Sequence, residues 1–157
     1  MPSNAERAYE AFKAREGTPE GTGEWFTMTQ DRINAFADVT EDHQFIHVDP
    51  DRAAELSPWK VTIAHGFLTL SMLTHLSGSI PREEKLDGIL MGINYGFDKV
   101  RFVTPVKVDS RIRASSMLKA VELKDNNVQV TRTMTVEIEG EDRPACVADW
   151  VTRMVFS

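Results

Sequence analysis

Two side chains able to transfer protons, Asp42 and His47, lie five positions apart in a stretch without a sustained helical or strand period. A carboxylate and an imidazole can share the removal of a proton from water and its delivery to carbon. Gly66 begins an apolar segment further along the chain, and a helix starting there would present unpaired N–H groups to a developing negative charge. These three residues could therefore add water to a substrate whose carbonyl oxygen becomes negative in the transition state.

The N-terminal region predicts a helix followed by a connector. Ser3 and Glu6 have the spacing of a capping box, and the apolar residues behind them recur at helical intervals. Residues 17–23 (GTPEGTG) are rich in glycine and polar residues, which is typical of a flexible connector. We therefore expect residues 1–23 to form an N-terminal helix and connector, and residues 24–157 to form the main domain.

The first half of the main domain predicts one short strand and several helices. Residues 24–28 resemble a strand, and Thr29 can cap the helix that follows. Residues 40–62 predict an irregular segment with a short helix near 51–56. The segment 66–76 is apolar on nearly every side, so we expect a helix buried on all faces and about 17 Å long, enough to lie across a sheet.

From residue 86 onward the pattern changes to antiparallel strands. The predicted strands, in chain order, are 89–102, 106–118, 128–138 and 145–156. Polar turn signals at 125–127 and 140–142 separate the last three. One antiparallel sheet around a central apolar helix, with an extra N-terminal helix, is an α+β arrangement.

Composition narrows the class of protein. The chain has 157 residues, a formal net charge of −6, 41% hydrophobic and 27% charged residues, which suits one globular domain. It lacks a run of about 20 apolar residues, so no membrane span is expected. The single cysteine, Cys146, cannot form an internal disulfide and favours a cytoplasmic location. The acidic charge argues against nucleic acid as a partner.

Three segments resemble one family of proteins. Residues 40–50 (TEDHQFIHVDP) resemble the hydratase-2 signature of MaoC-like proteins, and 63–66 (IAHG) resembles the start of their central helix. Residues 94–102 (NYGFDKVRF) are similar to the short single-domain subgroup that includes NodN-like proteins and mycobacterial (R)-specific hydratases. The resemblance extends over residues 24–156 and implies a single hot-dog fold.

The resemblance also implies an activity. It points to a (3R)-3-hydroxyacyl-CoA hydro-lyase that reversibly adds water to trans-2-enoyl-CoA without a metal or separate cofactor, CoA being part of the substrate. Asp42 and His47 would activate water, and the Gly66 amide would hold the thioester oxygen. Thr74 falls near the position of an active-site serine in some relatives, and the amide of Gln44 could orient the loop at the substrate.

The sequence departs from the family signature at three positions, where Glu41, Gln44 and Phe45 replace glycine, asparagine and proline. Lys99 and Arg101 belong to a basic run on the predicted strands. They would contact CoA phosphates through charge-assisted hydrogen bonds, or else form a solvated outer face of the sheet.

Several alternatives remain open from the sequence. A dehydratase acting on acyl carrier protein shares fold and reaction, a hot-dog thioesterase would need the carboxylate without His47, and an acyl-CoA binding module would need neither. His43 and His47 are four apart but lack a third ligand at metal-site spacing, so no metal is expected. His65 is expected to position the turn before Gly66. We expect a homodimer with the acyl pocket at its interface, because open sheet edges are usually covered.

Overall fold

Helices dominate the first half of the chain and strands the second, in a computed structural model that describes residues 1–82 and 85–157. The elements in chain order are α1 (Asn4–Lys13), β1 (Pro19–Thr22), β2 (Phe26–Thr27), α2 (Gln30–Thr40), α3 (Phe45–Val48), α4 (Pro50–Leu56), α5 (Gly66–Ser71), α6 (Leu73–Gly78), β3 (Ile89–Phe102), β4 (Arg111–Lys124), β5 (Asn127–Ile138) and β6 (Cys146–Phe156). This order agrees with the predicted one of a short strand, helices and four long strands.

All six strands belong to one antiparallel sheet. Its order is β1-β4-β5-β6-β3, and β2 also pairs with β4. The turn between β4 and β5 places Asp125 at φ 52°, a left-handed conformation that aspartate tolerates better than most residues. The strand β3 forms one edge of the sheet, so its outer backbone groups have no partner strand among the described residues.

One face of the sheet carries two apolar clusters. The first packs α5 and α6 against the sheet and includes Leu68, Leu73, Leu76, Ile112, Ala114, Met134 and Val136. The second packs α1 against the sheet's other half and includes Ala5, Ala8, Phe12, Leu118, Val128 and Val130. Because side chains alternate along a strand, the even-numbered residues of β5 serve both clusters. The sheet thus covers the central helix and α1 with the same face.

The N-terminal helix forms as its capping signal predicts. The Ser3 hydroxyl accepts a hydrogen bond from the Glu6 amide at 3.1 Å, and the Ser3 amide donates to the Glu6 carboxylate at 2.7 Å. These contacts satisfy backbone donors that a helix start leaves unpaired. The helix then buries its apolar face in the second cluster.

The segment 17–23, expected to be a flexible connector, contains a strand instead. β1 pairs with β4, with a bulge between Pro19 and Gly21. Gly21 has φ 123°, where side chains are rarely tolerated, and a Cβ on Gly23 would lie 2.8 Å from the Leu76 carbonyl oxygen. Gly21 therefore permits the bulge, and Gly23 permits close approach of the backbone to α6. Amino-acid composition does not distinguish these uses of glycine from flexibility.

Two further expectations need correction. The strand predicted over 106–118 begins only at Arg111, because residues 106–110 turn and Asp109 adopts φ 66°. The central helix is two short helices joined through Met72, and it is not buried on every side. In the single chain Phe67, Ser71, Thr74 and His75 are exposed, because the sheet covers only the opposite side. Among the described residues no helix is long and apolar enough to span a membrane.

Candidate active site

Asp42 and His47 lie on either side of a tight turn that follows α2. Glu41 ends that helix in a left-handed conformation with φ 62°, which redirects the chain so that α3 begins three residues after Asp42. The short helix α3 then turns His47 into the protein, where only 7% of it is exposed. Asp42 stays at the surface with 49% of its side chain exposed. The pair therefore spans the boundary between solvent and core.

The segment before α5 fixes the His47 ring. The Nδ1 of His47 lies 2.7 Å from the Ile63 carbonyl oxygen, and the Ile63 amide donates to the Ile46 carbonyl at 2.9 Å. A side chain on α2, Gln30, also donates to the His47 carbonyl at 2.7 Å. Ring and backbone of His47 are therefore both held by neighbouring segments.

These contacts define the tautomer of the neutral His47 ring. A carbonyl oxygen only accepts, so Nδ1 carries the proton and Nε2 of the neutral ring keeps a free electron pair. Burial is the largest influence on the pKa of His47 and lowers it below the usual 6.5, while the bond to Ile63 and the Asp42 charge oppose that shift. At neutral pH the Nε2 atom is therefore a proton acceptor, as a general base requires.

A third residue, His65, joins the pair. The His65 ring stacks on that of His47, with ring centroids 3.8 Å apart. The Phe36 ring also packs against the His65 ring, with centroids 4.9 Å apart. The His65 Nε2 lies 3.0 Å from the backbone carbonyl oxygen of Asp42, so it donates, and the buried Nδ1 has no partner among the described residues. The expectation that His65 positions the turn before Gly66 did not foresee this contact with Asp42.

The carboxylate and the two rings converge on one small volume. One ligand-type atom each from Asp42, His47 and His65 lies within 4.8 Å of the others. Two hydrogen bonds of about 2.8 Å to a single water leave its two partners roughly that far apart. The cluster is therefore compact on the scale of two hydrogen bonds to one water.

This convergence also bears on the expectation of no metal. The three residues could in principle surround an ion. However, His65 Nε2 already donates to a carbonyl, and the other His65 nitrogen is buried. A metal needs deprotonated ligand atoms, so the arrangement favours proton transfer over coordination.

Gly66 begins α5 directly after His65. Its amide has no backbone acceptor among the described residues, as expected for the first residue of a helix. A Cβ on Gly66 would lie 3.0 Å from the ring of Phe102 at the end of β3. Glycine at this position therefore allows close packing of β3 against the start of the helix and keeps the amide uncovered.

The other predicted site residues are not gathered here. The backbone N–H of Gln44 donates to the Asp42 carboxylate at 3.5 Å, whereas the side-chain amide of Gln44, expected to orient the loop, is exposed. Lys99 pairs in register with Asp149, and Arg101 donates to the Val100 carbonyl at 2.7 Å. Neither basic side chain has a recorded contact with Asp42, His47 or Gly66, and their contact with a phosphate stays a prediction.

Thr74 lies on α6, in the wall of a cavity of about 820 Å³. The cavity is bounded by the end of α1, by β1, by α6 and by the sheet, and Asp42, His47 and Gly66 are not part of its lining. The cavity lies between the two apolar clusters. The catalytic candidates and this cavity are therefore separate features of the molecule.

Comparisons with known proteins identify relatives of this chain. Residues 11–139 match the model of the MaoC like domain. The chain is 49% identical over 143 residues to 3-hydroxyacyl-thioester dehydratase Z of Mycobacterium tuberculosis, covering 90% of this chain and 92% of that one. It is 48% identical over 145 residues to nodulation protein N of Rhizobium leguminosarum, covering 91% and 88%.

A structural comparison confirms the expected hot-dog fold. An unliganded (R)-hydratase from Pseudomonas aeruginosa superposes with a TM-score of 0.68 over 93% of this chain and 86% of that one, at 20% identity. Such an identity speaks for the fold alone, whereas the domain match and the two close relatives establish the family. The chain therefore belongs to the MaoC-like dehydratases, a family of hydro-lyases.

Proposed function

We propose that the protein reversibly adds water to trans-2-enoyl-CoA and forms the (R)-3-hydroxyacyl-CoA. The observation that carries the proposal is the pairing of Asp42 with a neutral His47 whose Nδ1 is held by Ile63, so that Nε2 is free to accept a proton. The names of the relatives support it, since one is a 3-hydroxyacyl-thioester dehydratase and a structural neighbour is an (R)-hydratase.

The proposed reaction uses the pair on one water. His47 and Asp42 hold the water, and the pair removes one of its protons as the oxygen attacks the β-carbon of the enoyl group. The electrons of the double bond move toward the thioester oxygen, which the Gly66 amide stabilises. The pair then returns a proton to the α-carbon, so that hydrogen and hydroxyl have added across the bond. Neither a metal nor a separate cofactor takes part in this scheme.

We also propose a homodimer through β3, with the acyl pocket at its interface. The strand is a sheet edge, and it exposes Leu90, Met91, Ile93 and Tyr95, while Phe67 on α5 is exposed next to its end. Exposed apolar edges are normally covered, and a second copy offers the same surface. Light scattering of a fully active sample should give twice the chain mass. A monomeric mass would contradict the dimer.

Crotonyl-CoA tests the proposed activity. Purified protein should lower the enoyl thioester absorbance to an equilibrium level, with formation of (R)-3-hydroxybutyryl-CoA and no free thiol. An (S) product would contradict the assignment, thiol release would favour a thioesterase, and tight binding without turnover would favour a binding module. Turnover of crotonyl groups on acyl carrier protein alone would redirect the proposal to that carrier.

A chelation experiment tests the absence of a metal in the scheme. Exhaustive treatment with EDTA should leave kcat unchanged, because His47 and His65 each have one ring nitrogen engaged with a carbonyl oxygen. Stoichiometric zinc in the purified protein, with activity lost on its removal and regained on its return, would contradict this.

A further inference from the structure

A charged side chain interrupts the apolar face of β5. The even-numbered residues of this strand face the two clusters, and all are apolar except Arg132. On β4, Ser116 is a similar interruption between Ala114 and Leu118. Both residues line the cavity of about 820 Å³ that separates the clusters. The floor of this cavity is therefore polar where the rest of the sheet face is not.

Arg132 is buried but uses few of its hydrogen-bond donors. Only 13% of its side chain is exposed, and its Nε donates to the Glu20 carboxylate at 2.8 Å. Its two Nη nitrogens have no hydrogen-bond acceptor among residues 1–82 and 85–157. A guanidinium offers five N–H donors, and Arg132 lies in the wall of the cavity. Its unused donors therefore suit an oxygen acceptor within the cavity.

The charges around the cavity favour an anion. Glu20, which is 11% exposed, accepts from Ser116 at 2.7 Å and also lies 3.6 Å from Arg15, so one carboxylate serves two guanidinium groups. Arg153 also lines the cavity, but it donates to Gln129 at 2.9 Å and lies over the Tyr95 ring, so its charge is engaged elsewhere. The unused donors of a permanently charged guanidinium, that of Arg132, favour a negatively charged ligand group.

The remaining wall of the cavity suits a hydrocarbon chain. Phe12, Ile80, Leu86, Ile93 and Met154 all contribute to it, and a volume of about 820 Å³ lies within the usual range of small-molecule sites. Thr74 on α6 also lines it, eight residues beyond Gly66. Eight helical residues span about 12 Å. An acyl group with its thioester at Gly66 reaches the cavity only if its chain is about that long.

We infer that the cavity holds the far end of an acyl group that terminates in a carboxylate, and that Arg132 selects this group. The inference rests on the proposed function, because it assumes an acyl thioester at Gly66, and it names the substrate class. Two charge-assisted hydrogen bonds from the Nη nitrogens would bind the carboxylate, as guanidinium groups do elsewhere. A short acyl group would leave the site unused.

Three substrates test the inference in the full-length protein. They are trans-2-dodecenedioyl-CoA, with a terminal carboxylate, trans-2-dodecenoyl-CoA, with a terminal methyl, and crotonyl-CoA. We expect kcat/KM for the dicarboxylic thioester to exceed that of its methyl-ended counterpart. In the double variant Arg132→Gln/Glu20→Gln, which removes both buried charges together, it should fall about 10- to 100-fold, the worth of charge-assisted hydrogen bonds. Crotonyl-CoA should be turned over as before.

A matched control uses another cross-strand pair. Arg113 on β4 donates through Nε to Glu137 on β5 at 2.6 Å, and both residues lie at odd-numbered positions, away from the cavity face. The variant Arg113→Gln/Glu137→Gln should leave all three substrates unaffected. Equal losses on both dodecenoyl substrates, or a dicarboxylic substrate that the Arg132 variant turns over normally, would overturn the inference.

Direct binding separates failure of the inference from failure of the proposed function. If crotonyl-CoA is not hydrated, the proposed function is wrong, and calorimetry with free octanoate and its uncharged analogue octanamide still tests the cavity. We expect octanoate to bind more tightly, and the advantage to disappear in Arg132→Gln/Glu20→Gln. Equal affinities in the unmodified protein would overturn the role of Arg132. Thermal unfolding of each variant should show that it folds.

Discussion

The cluster of Asp42, His47 and His65 and the cavity around Arg132 both contain buried polar side chains, but they hold them differently. In the cluster, a backbone carbonyl oxygen accepts from one nitrogen of each ring, and burial favours the neutral form of His47. In the cavity a guanidinium stays charged and is only partly paired with Glu20. The first arrangement suits proton transfer, which needs groups that change protonation, and the second suits binding of a charge that does not change. The first region therefore buries groups that can gain or lose a proton, whereas the second buries a permanently charged group.

The largest expected effect belongs to the cluster. His47→Gln and Asp42→Asn should each lower kcat by about 10²–10⁴-fold, the usual contribution of one positioned acid or base. Both replacements are nearly isosteric, so KM should change less than kcat. Steady-state kinetics with crotonyl-CoA measures both constants. If either variant keeps a near-normal kcat, that residue has no role in proton transfer.

The pH dependence of kcat/KM distinguishes the titrating region from the permanently charged one. Burial lowers the pKa of His47 below 6.5, so the neutral base persists to lower pH than in an exposed histidine. With crotonyl-CoA, kcat/KM should fall about tenfold per pH unit on the acid side, with a midpoint below 6.5. The Arg132→Gln/Glu20→Gln variant should keep that midpoint. A midpoint above 6.5 would contradict the assignment of a buried neutral His47.

A smaller effect is expected from His65, which we regard as a positioning residue. His65→Phe keeps an aromatic ring beside His47 but removes the donor to the Asp42 carbonyl, so kcat should fall by roughly 2- to 10-fold. His65 also lowers the pKa of His47, so its removal should move the acid midpoint of kcat/KM upward. His65→Gln, which can restore a donor, should recover part of kcat. A drop in stability without a shift of the midpoint would indicate a structural role alone.

The smallest expected effect is a change in the free energy of unfolding when Gly66 is replaced by alanine. A Cβ there would meet the Phe102 ring at 3.0 Å, and this half-exposed ring can move, so Gly66→Ala should lower the free energy of unfolding by about 1 kcal/mol. Gly78 on α6 has no atom within 4 Å of the same added carbon. Gly78→Ala should therefore leave stability unchanged or raise it by up to about 1 kcal/mol. Denaturant unfolding measures both variants. Equal changes in their free energies of unfolding would contradict the argument that Gly66 is needed for packing against Phe102.

Local signals in the sequence predict much of this fold and part of the site. The capping box at Ser3, the cap at Thr29, the long strands and the Asp42–His47 pair all depend on residues close in sequence. The β1 strand was missed because its pairing with β4 joins segments about 95 residues apart, for which Gly21 and Gly23 give no local sign. Pairings of that kind are set by tertiary structure.

Two functional candidates were missed or underrated for a similar reason. His65 precedes a glycine in the sequence, and only the fold brings its ring against His47 and its Nε2 to the Asp42 carbonyl. Arg132 had a signal that could have been used, because it occupies an apolar position in the alternation of β5. A charge at such a position must be paired inside the protein or serve a ligand. Its partner, Glu20, lies in the segment 17–23, for which the composition predicts a connector.

The central claim is that Asp42 and His47 act together on one water, and a double-mutant cycle tests it most directly. Groups that act as a unit give strongly non-additive losses. The kcat of Asp42→Asn/His47→Gln with crotonyl-CoA should therefore be little lower than that of the worse single variant. Losses that multiply in the double variant would show that the two residues act in separate steps, and the account of a shared water would be wrong.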